Sequence, residues 1–260
     1  MKRLLSKDGT PIAFERSGIG QPLILVDGAL CSRSFGPMPK LVPLLEPHFT
    51  VYWYDRRGRN DSGETAPYSV AREVEDLEAL VNEAGGSAFV YGVSSGAALA
   101  LEAAAHGVPI RKLALYEPPL GLDKKEPPTD HVAALNRRIA ANRRSDAVRY
   151  FMRDMVGVPA PFVFVMRFMP MWSKLEAVAH TLPYDAALVG DPSLLKRRAA
   201  SVCVPTLVIG GEKSPALLRE AVQAVGAAVP GAKRRLLAGQ THNVKPQVVA
   251  PVLVEYFEAA

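Results

Sequence analysis

Ala88-Phe89-Val90-Tyr91-Gly92-Val93-Ser94-Ser95-Gly96 is the stretch from which the rest of this 260-residue chain is read. Ala88–Tyr91 is a short apolar run of strand character. Residues 95–105 are rich in Ala and Leu and have high helix propensity. Between them Gly92-Val93-Ser94-Ser95-Gly96 matches G-x-S-x-G. On composition alone such a pattern recurs in roughly one chain in ten of this length, so the strand before it and the helix after it carry the reading. A strand that turns straight into a helix holds the central serine in a strained conformation. Glycines two before and two after remove the Cβ atoms that would clash. The turn lifts the Ser94 oxygen above the sheet edge, with a helix N-terminus beneath it.

Working outward, the same alternation continues. Residues 2–17 predict a hairpin around Asp8-Gly9. Pro22–Val26, Phe49–Tyr54 and Leu113–Tyr116 predict strands, and residues 69–84 a helix with Val70, Val74, Leu77, Leu80 and Val81 on one face. Toward the C-terminus, Thr206–Ile209 and Arg235–Leu237 predict strands, each followed by a helix, over 215–228 and 247–258. Apolar strands without polar alternation are buried on both sides. Strands alternating with helices imply a parallel sheet with helices on both faces.

Residues 120–200 break this rhythm. They open with a Pro/Lys-rich linker through Pro127-Pro128, then read as helical. The segment holds five of the seven Met (152, 155, 166, 169 and 171) together with Phe151, Phe162, Phe164, Phe168 and Trp172. These side chains fit either a small core of the insertion's own or the underside of a lid over an apolar pocket. A membrane-surface helix is a third reading, opposed by Pro159, Pro161 and Pro170.

The net charge is +5. Residues 120–200 carry 13 Lys/Arg against 8 Asp/Glu, and the remainder carries 18 of each. The excess sits in pairs such as Arg137-Arg138 and Arg143-Arg144, the pattern of a solvated helix face and not of a nucleic-acid patch. Two cysteines, Cys31 and Cys203, are too few for a disulfide framework. No run of about 18 uncharged apolar residues is present, and the N-terminus turns polar before a signal-peptide core forms. The expectation is a cytoplasmic protein with neither membrane nor nucleic acid as partner. Neither H-x-x-x-H nor C-x-x-C occurs, and Gly18-Ile19-Gly20 lacks the rest of a nucleotide-binding motif. No metal or cofactor is expected.

A serine hydroxyl needs a base. Of the five histidines, His242 lies just after the last predicted strand, in Gly239-Gln240-Thr241-His242-Asn243, on a loop at the carboxyl edge where ligands bind in such sheets. His106 ends the helix after Ser94, His48 precedes a strand, and His131 and His180 fall in the insertion.

With these residues the chain resembles the α/β-hydrolase fold proteins over nearly its whole length. Tyr54-Asp55-Arg56-Arg57-Gly58-Arg59-Asn60-Asp61-Ser62-Gly63 resembles the D-x-R-G-x-G-x-S loop of many members, with Asn60 in place of the usual glycine. The resemblance implies a mostly parallel sheet of about eight strands with an antiparallel first hairpin. It implies a core domain of residues 1–119 and 201–260, and a helical cap over 120–200 inserted after the sixth strand. It assigns the oxyanion donors to the backbone N–H groups of Ser95 and Ala29, the latter in Asp27-Gly28-Ala29-Leu30, where Asp27 replaces the usual histidine. The acid of a catalytic triad commonly follows the seventh strand; here that turn is Gly211-Glu212-Lys213-Ser214, and Ser214 stands where Asp is expected. Some members place the acid after the sixth strand, which here is Glu117. Glu117 is the expected partner of His242, Glu212 the alternative, and a Ser94–His242 dyad a third arrangement.

The resemblance implies a serine hydrolase acting on a small or medium ester, thioester or lactone with an apolar acyl part, as a monomer or small homo-oligomer. A serine nucleophile sets the chain apart from haloalkane dehalogenases and epoxide hydrolases, which use Asp. Two other readings stand beside it: a ligand-binding or signalling protein with a hydrolase-like pocket, and a cofactor-free peroxidase-like or cyclase activity on the same residues.

Overall fold

A computed structural model describes residues 1–120, 129–190 and 198–259. Eight strands form one sheet in the order β1-β2-β4-β3-β5-β6-β7-β8. They are β1 (Lys2–Leu5), β2 (Pro11–Ser17), β3 (Gln21–Val26), β4 (Phe49–Tyr54), β5 (Ala88–Val93), β6 (Ile110–Tyr116), β7 (Thr206–Gly211) and β8 (Lys233–Leu237). β1 and β2 pair antiparallel, as does β2 with β4; every other pairing is parallel. This is the expected α/β architecture.

The alternation of side chains along each strand feeds two apolar layers. Ile24 and Val26, Tyr52 and Tyr54, Ala88 and Val90, Leu113 and Leu115, and Val208 enter one. Leu23 and Leu25, Phe49 and Val51, Phe89, Tyr91 and Val93, Ala114 and Tyr116, and Leu207 and Ile209 enter the other. The first layer is closed by α2 (Val70–Glu83), α3 (Ser95–Ala105) and α9 (Ala216–Ala228), the second by α1 (Met38–Leu45) and α10 (Pro246–Glu258). Both faces are covered, which is why the central strands carry almost no polar residues.

Between β6 and β7 lie α4 (His131–Ala140), α5 (Arg144–Tyr150), a π-helical turn (Phe151–Met155), α6 (Ala160–Met166), α7 (Met171–Ala177), a 3-10 turn (Ala179–Thr181) and α8 (Leu182–Val189). The Pro127-Pro128 linker lies outside the described residues. These helices share a third apolar cluster that includes Trp172, Leu175, Val148 and Leu135 together with Leu30 from the loop after β3. The aromatic residues divide: Trp172 is buried, whereas Phe162, Phe164 and Phe168 are exposed and lie outside this cluster. For Phe162 and Phe164 the reason is local: α6 spans seven residues after Pro159 and turns Val163, with Met166 beside it, toward the cluster, and Phe168 follows the end of the helix. No helix among the described residues is long and apolar enough to cross a membrane.

β3 and β5 are neighbours in the sheet, yet the chain leaves them toward opposite edges. Such a switch point opens a crevice at the carboxyl ends of the strands. The helix leaving β5 comes very close to the end of β3. A Cβ on Gly96 would stand 2.3 Å from Val26 O and 2.5 Å from Asp27 O, and one on Gly92 would stand 2.5 Å from Gly96 O. The backbones touch where any side chain would force them apart. We expect Gly96→Ala to cost about 1–3 kcal/mol or more, the usual penalty of overpacking, read as a lowered Tm and lower soluble yield. An unchanged Tm would mean that α3 is free to shift on β3.

Candidate active site

Four chain segments meet at the carboxyl edge. Val93 pairs with Tyr116, and Tyr116 with Ile209, so β5 and β6 end level and β7 runs two residues further, to Gly211. The ladder then continues for one residue on β5 and β6. Ser94 N–H donates to Tyr116 O (2.8 Å), and Glu117 N–H donates to Ile209 O (2.9 Å). Ser94 and Glu117 are thereby carried rigidly on neighbouring strand ends. Both have positive φ, +54° and +46°, as does Leu30 at +61°. Three non-glycine residues held in this costly region lie at one edge of one sheet, and strain of this kind is kept only where the surroundings enforce it. Asn60, at the position of the usual glycine, has φ +41°, a conformation that Asn tolerates better than most residues.

Glu117 is fully buried. Its Oε2 lies 2.7 Å from His242 Nδ1, and its Oε1 accepts from Gly211 N–H at 2.7 Å. The His242 loop is tied down beside it by Tyr116 Oη, which donates to Thr241 O at 2.6 Å. Burial raises the Tyr116 phenol, and the neighbouring Glu117 carboxylate adds to the effect, so Tyr116 stays a donor. Glu212 is exposed and accepts from Gly239 N–H at 3.0 Å, away from His242. Ser214, at the usual acid position, is buried, and its hydroxyl has no hydrogen-bond partner among the described residues. The structure therefore brings Glu117, and not Glu212, to His242.

Ser94 is half-buried, and its hydroxyl makes no hydrogen bond among the described residues. Hydrogen bonds of this kind are often long in a ligand-free site and tighten when substrate arrives. The loop after β3 lies against Ser94: a Cβ on Gly28 would be 3.1 Å from Ser94 Cβ and 3.7 Å from its Oγ. Ser95 opens α3, so its N–H has no intrahelical acceptor. The remaining histidines are elsewhere: His48 pairs with Glu258, His106 contacts Glu102, His131 Nδ1 bonds Tyr150 Oη, and His180 Nε2 bonds Gly58 O.

This architecture is shared with known proteins. The alpha/beta hydrolase family matches residues 20–252. The chain belongs to the alpha/beta hydrolase family. The crystal structure of an alpha/beta hydrolase from Sphaerobacter thermophilus DSM 20745 is 53% identical, with a TM-score of 0.91, covering 98% of this chain and 100% of that one. An enol-lactonase from Burkholderia xenovorans LB400 is 21% identical (TM-score 0.73; 99% and 100% covered). A thermophilic esterase from Thermogutta terrifontis is also 21% identical (TM-score 0.74; 99% and 98% covered). At these identities the last two attest the fold. No curated protein matches the chain.

Beneath the site of this hydrolase lies a buried web of charge. Arg56 donates to both Glu73 oxygens (2.7 and 2.8 Å), and Arg57 to both Asp76 oxygens (3.0 and 2.7 Å). Asp185 of α8 receives Arg56 and Arg59. Burial by itself would raise the Asp185 carboxyl, but Arg59 and Arg56 outweigh it and hold it below the ordinary range. The sequence pattern does not single out Asp185 as the partner of this arginine loop. Its one signal was an acid standing alone in the otherwise uncharged Leu182–Val189.

Asp27 is buried, its Oδ1 has no partner among the described residues, and its Oδ2 faces the turn at Gly36 and Cys31. Burial pushes its carboxyl up to about 7, against the opposing pull of Arg59, Gly28 N–H and Arg56. An unfolded Asp titrates near 4, so between about 4 and 7 the native state binds the extra proton and stability falls as pH rises. Asp27→Asn removes this dependence. We expect the Tm of the variant relative to wild type to be higher at pH 8 than at pH 5, measured in matched buffers. Parallel Tm curves would mean that Asp27 titrates normally.

Proposed function

We propose that this protein is a serine hydrolase that cleaves a small or medium ester, thioester or lactone with an apolar acyl part. The observation that carries the reading is the 2.7 Å contact between His242 Nδ1 and the buried Glu117 carboxylate, at the sheet edge that also bears the strained Ser94. Ser94 Oγ attacks the acyl carbon while His242 Nε2 takes its proton. Glu117 holds the imidazole with its proton on Nδ1 and stabilises the imidazolium that forms. The N–H groups of Ser95 and Ala29 receive the oxyanion. His242 then protonates the leaving group. Water activated by the same imidazole releases the acyl chain from Ser94.

The helices between β6 and β7 serve as a cap over a core formed by the rest of the chain. They pack on Leu30, next to the proposed Ala29 donor, which puts apolar surface close to the acyl group. The esterase and enol-lactonase among the structural neighbours are in keeping with such a substrate. The protein would act in the cytoplasm, without nucleic acid or membrane. A binding role is the second reading, favoured by the Ser94 hydroxyl having no bond to His242 and by Ser214 at the usual acid position.

Fluorophosphonate treatment followed by intact-mass measurement separates the two. One adduct on wild type and none on Ser94→Ala is expected, with ester turnover in the variant lowered on the order of 10^4-fold or more. A folded wild type that takes no adduct supports the binding role.

Glu117→Gln tests the acid. Gly211 N–H requires an acceptor, so the Gln carbonyl turns to it and the amide nitrogen faces His242 Nδ1. The imidazole proton is then forced onto Nε2, where it blocks base catalysis. Turnover should fall about 10^3- to 10^4-fold, whereas Glu212→Gln should stay within about twofold of wild type, because exposed groups away from the chemistry contribute little. The reverse order of effects would move the acid to Glu212.

A further inference from the structure

Both proposed oxyanion donors lie on backbone that is held by one carboxylate from the inserted helices. Asp185 Oδ1 accepts from Ser95 Oγ at 2.7 Å and from Arg56 Nη1 at 2.8 Å. Arg59 Nη2 reaches both Asp185 oxygens, at 3.1 and 2.9 Å. The other arm of the same guanidinium, Nη1, donates to Gly28 O at 2.6 Å and to Cys31 O at 3.2 Å. Arg59 Nε points at Thr181 Oγ1 (3.3 Å), one residue before α8. Arg56 Nη1 also touches Ser95 Oγ (3.2 Å) and Asp27 O (3.4 Å).

The planar trans peptide turns this arrangement into an alignment device. Gly28 C=O and Ala29 N–H belong to one peptide unit and point in opposite directions. When Arg59 draws the carbonyl down into the buried web, the Ala29 N–H is turned the opposite way, out of the web. A charge-assisted bond to that carbonyl fixes the plane more firmly than a neutral one would. On the other side of the site the Ser95 hydroxyl is clamped to the same carboxylate, and that sets the rotation of the first turn of α3 and with it the Ser95 N–H. We propose that Asp185 is a positioning residue of the oxyanion hole, which aligns the Ala29 N–H through Arg59 and the Ser95 N–H through the Ser95 hydroxyl. Placing the inserted helices thereby completes the hole, because Asp185 comes from α8 and both donors come from the sheet edge. This inference rests on the serine-hydrolase reading.

The test compares Asp185→Asn, Ser95→Ala and the double variant with p-nitrophenyl butyrate as substrate and a trifluoromethyl ketone as tetrahedral mimic. Active sites are counted by fluorophosphonate labelling, so partial unfolding does not register as slow chemistry. Ser95→Ala keeps the N–H and removes only the tether, and it decides the matter should Asp185→Asn fail to fold. We expect kcat per active site to fall about 10- to 100-fold, less than the roughly 10^2- to 10^3-fold that attends loss of a whole donor. KM should change less than about threefold, and affinity for the ketone should fall in step with kcat, since the loss appears only when charge develops. The double variant should be little worse than Asp185→Asn, because both act through one tether. Wild-type kcat and ketone affinity per active site in the folded variants would overturn the assignment and leave the serine mechanism standing. Full turnover by Ser94→Ala, run alongside, would instead remove the serine mechanism and this assignment with it.

Discussion

Gly96 has no side chain because the carbonyl oxygens of Val26 and Asp27 occupy the space where one would go. The carboxyl edge is organised by that approach. It brings the first turn of α3 onto the end of β3, and so puts the loop after β3 beside Ser94. Glycine costs conformational entropy wherever it sits, and here the cost is offset by a contact that no other residue permits. The strain at Ser94 comes from the same geometry. A strand held at Tyr116 by its last N–H and a helix held against β3 leave one residue in which to reverse direction, and that residue has φ +54°.

The second constraint is electrostatic. Arg56, Arg57 and Arg59 are almost wholly shielded from solvent, and a guanidinium in that position is tolerable only with its donors filled. Each has a carboxylate at hydrogen-bond distance: Glu73 and Asp185 for Arg56, Asp76 and Asp8 for Arg57, Asp185 for Arg59. These acids come from α2, α8 and the first hairpin, so the web ties together elements that also contribute Val74, Leu188 and Phe14 to one apolar layer. Removing a partner leaves a buried charge unmatched, which costs far more than an exposed pair contributes. Asp27 beside this web is the complementary case: burial without a dedicated cation raises its carboxyl to about 7.

The site also shows how a carboxylate is supplied from a different strand. Glu117 ends β6, and Gly211 at the end of β7 gives it a backbone N–H. Ser214 fills the place of the usual acid with a small polar group, which leaves the imidazole turned toward β6. A glutamate is long enough to bridge from one strand end to the loop after β8. Its second oxygen remains free for Gly211, so the carboxylate is held at both oxygens and its plane is set before any substrate arrives.

Much of this was present in the residue pattern. Doubly buried strands, amphipathic helices and the glycine spacing around Ser94 are local properties, carried by neighbours two to four residues apart. Periodicity reports them directly, and they determine a parallel sheet with helices on both faces and Ser94, Glu117 and His242 at one edge. Pairing across long separations is different in kind. Glu117 and Glu212 both follow strand ends, and only the placement of the His242 loop, 125 residues after Glu117, decides between them. Phe162 and Phe164 have the composition of a core, yet their seven-residue helix turns Val163 and Met166 toward the cluster and leaves both rings exposed. Asp185 meets Ser95 across 90 residues because the inserted helices come back over the sheet edge. Nothing in the spacing of the chain encodes that return, since it is set by how whole elements pack rather than by any residue's neighbours.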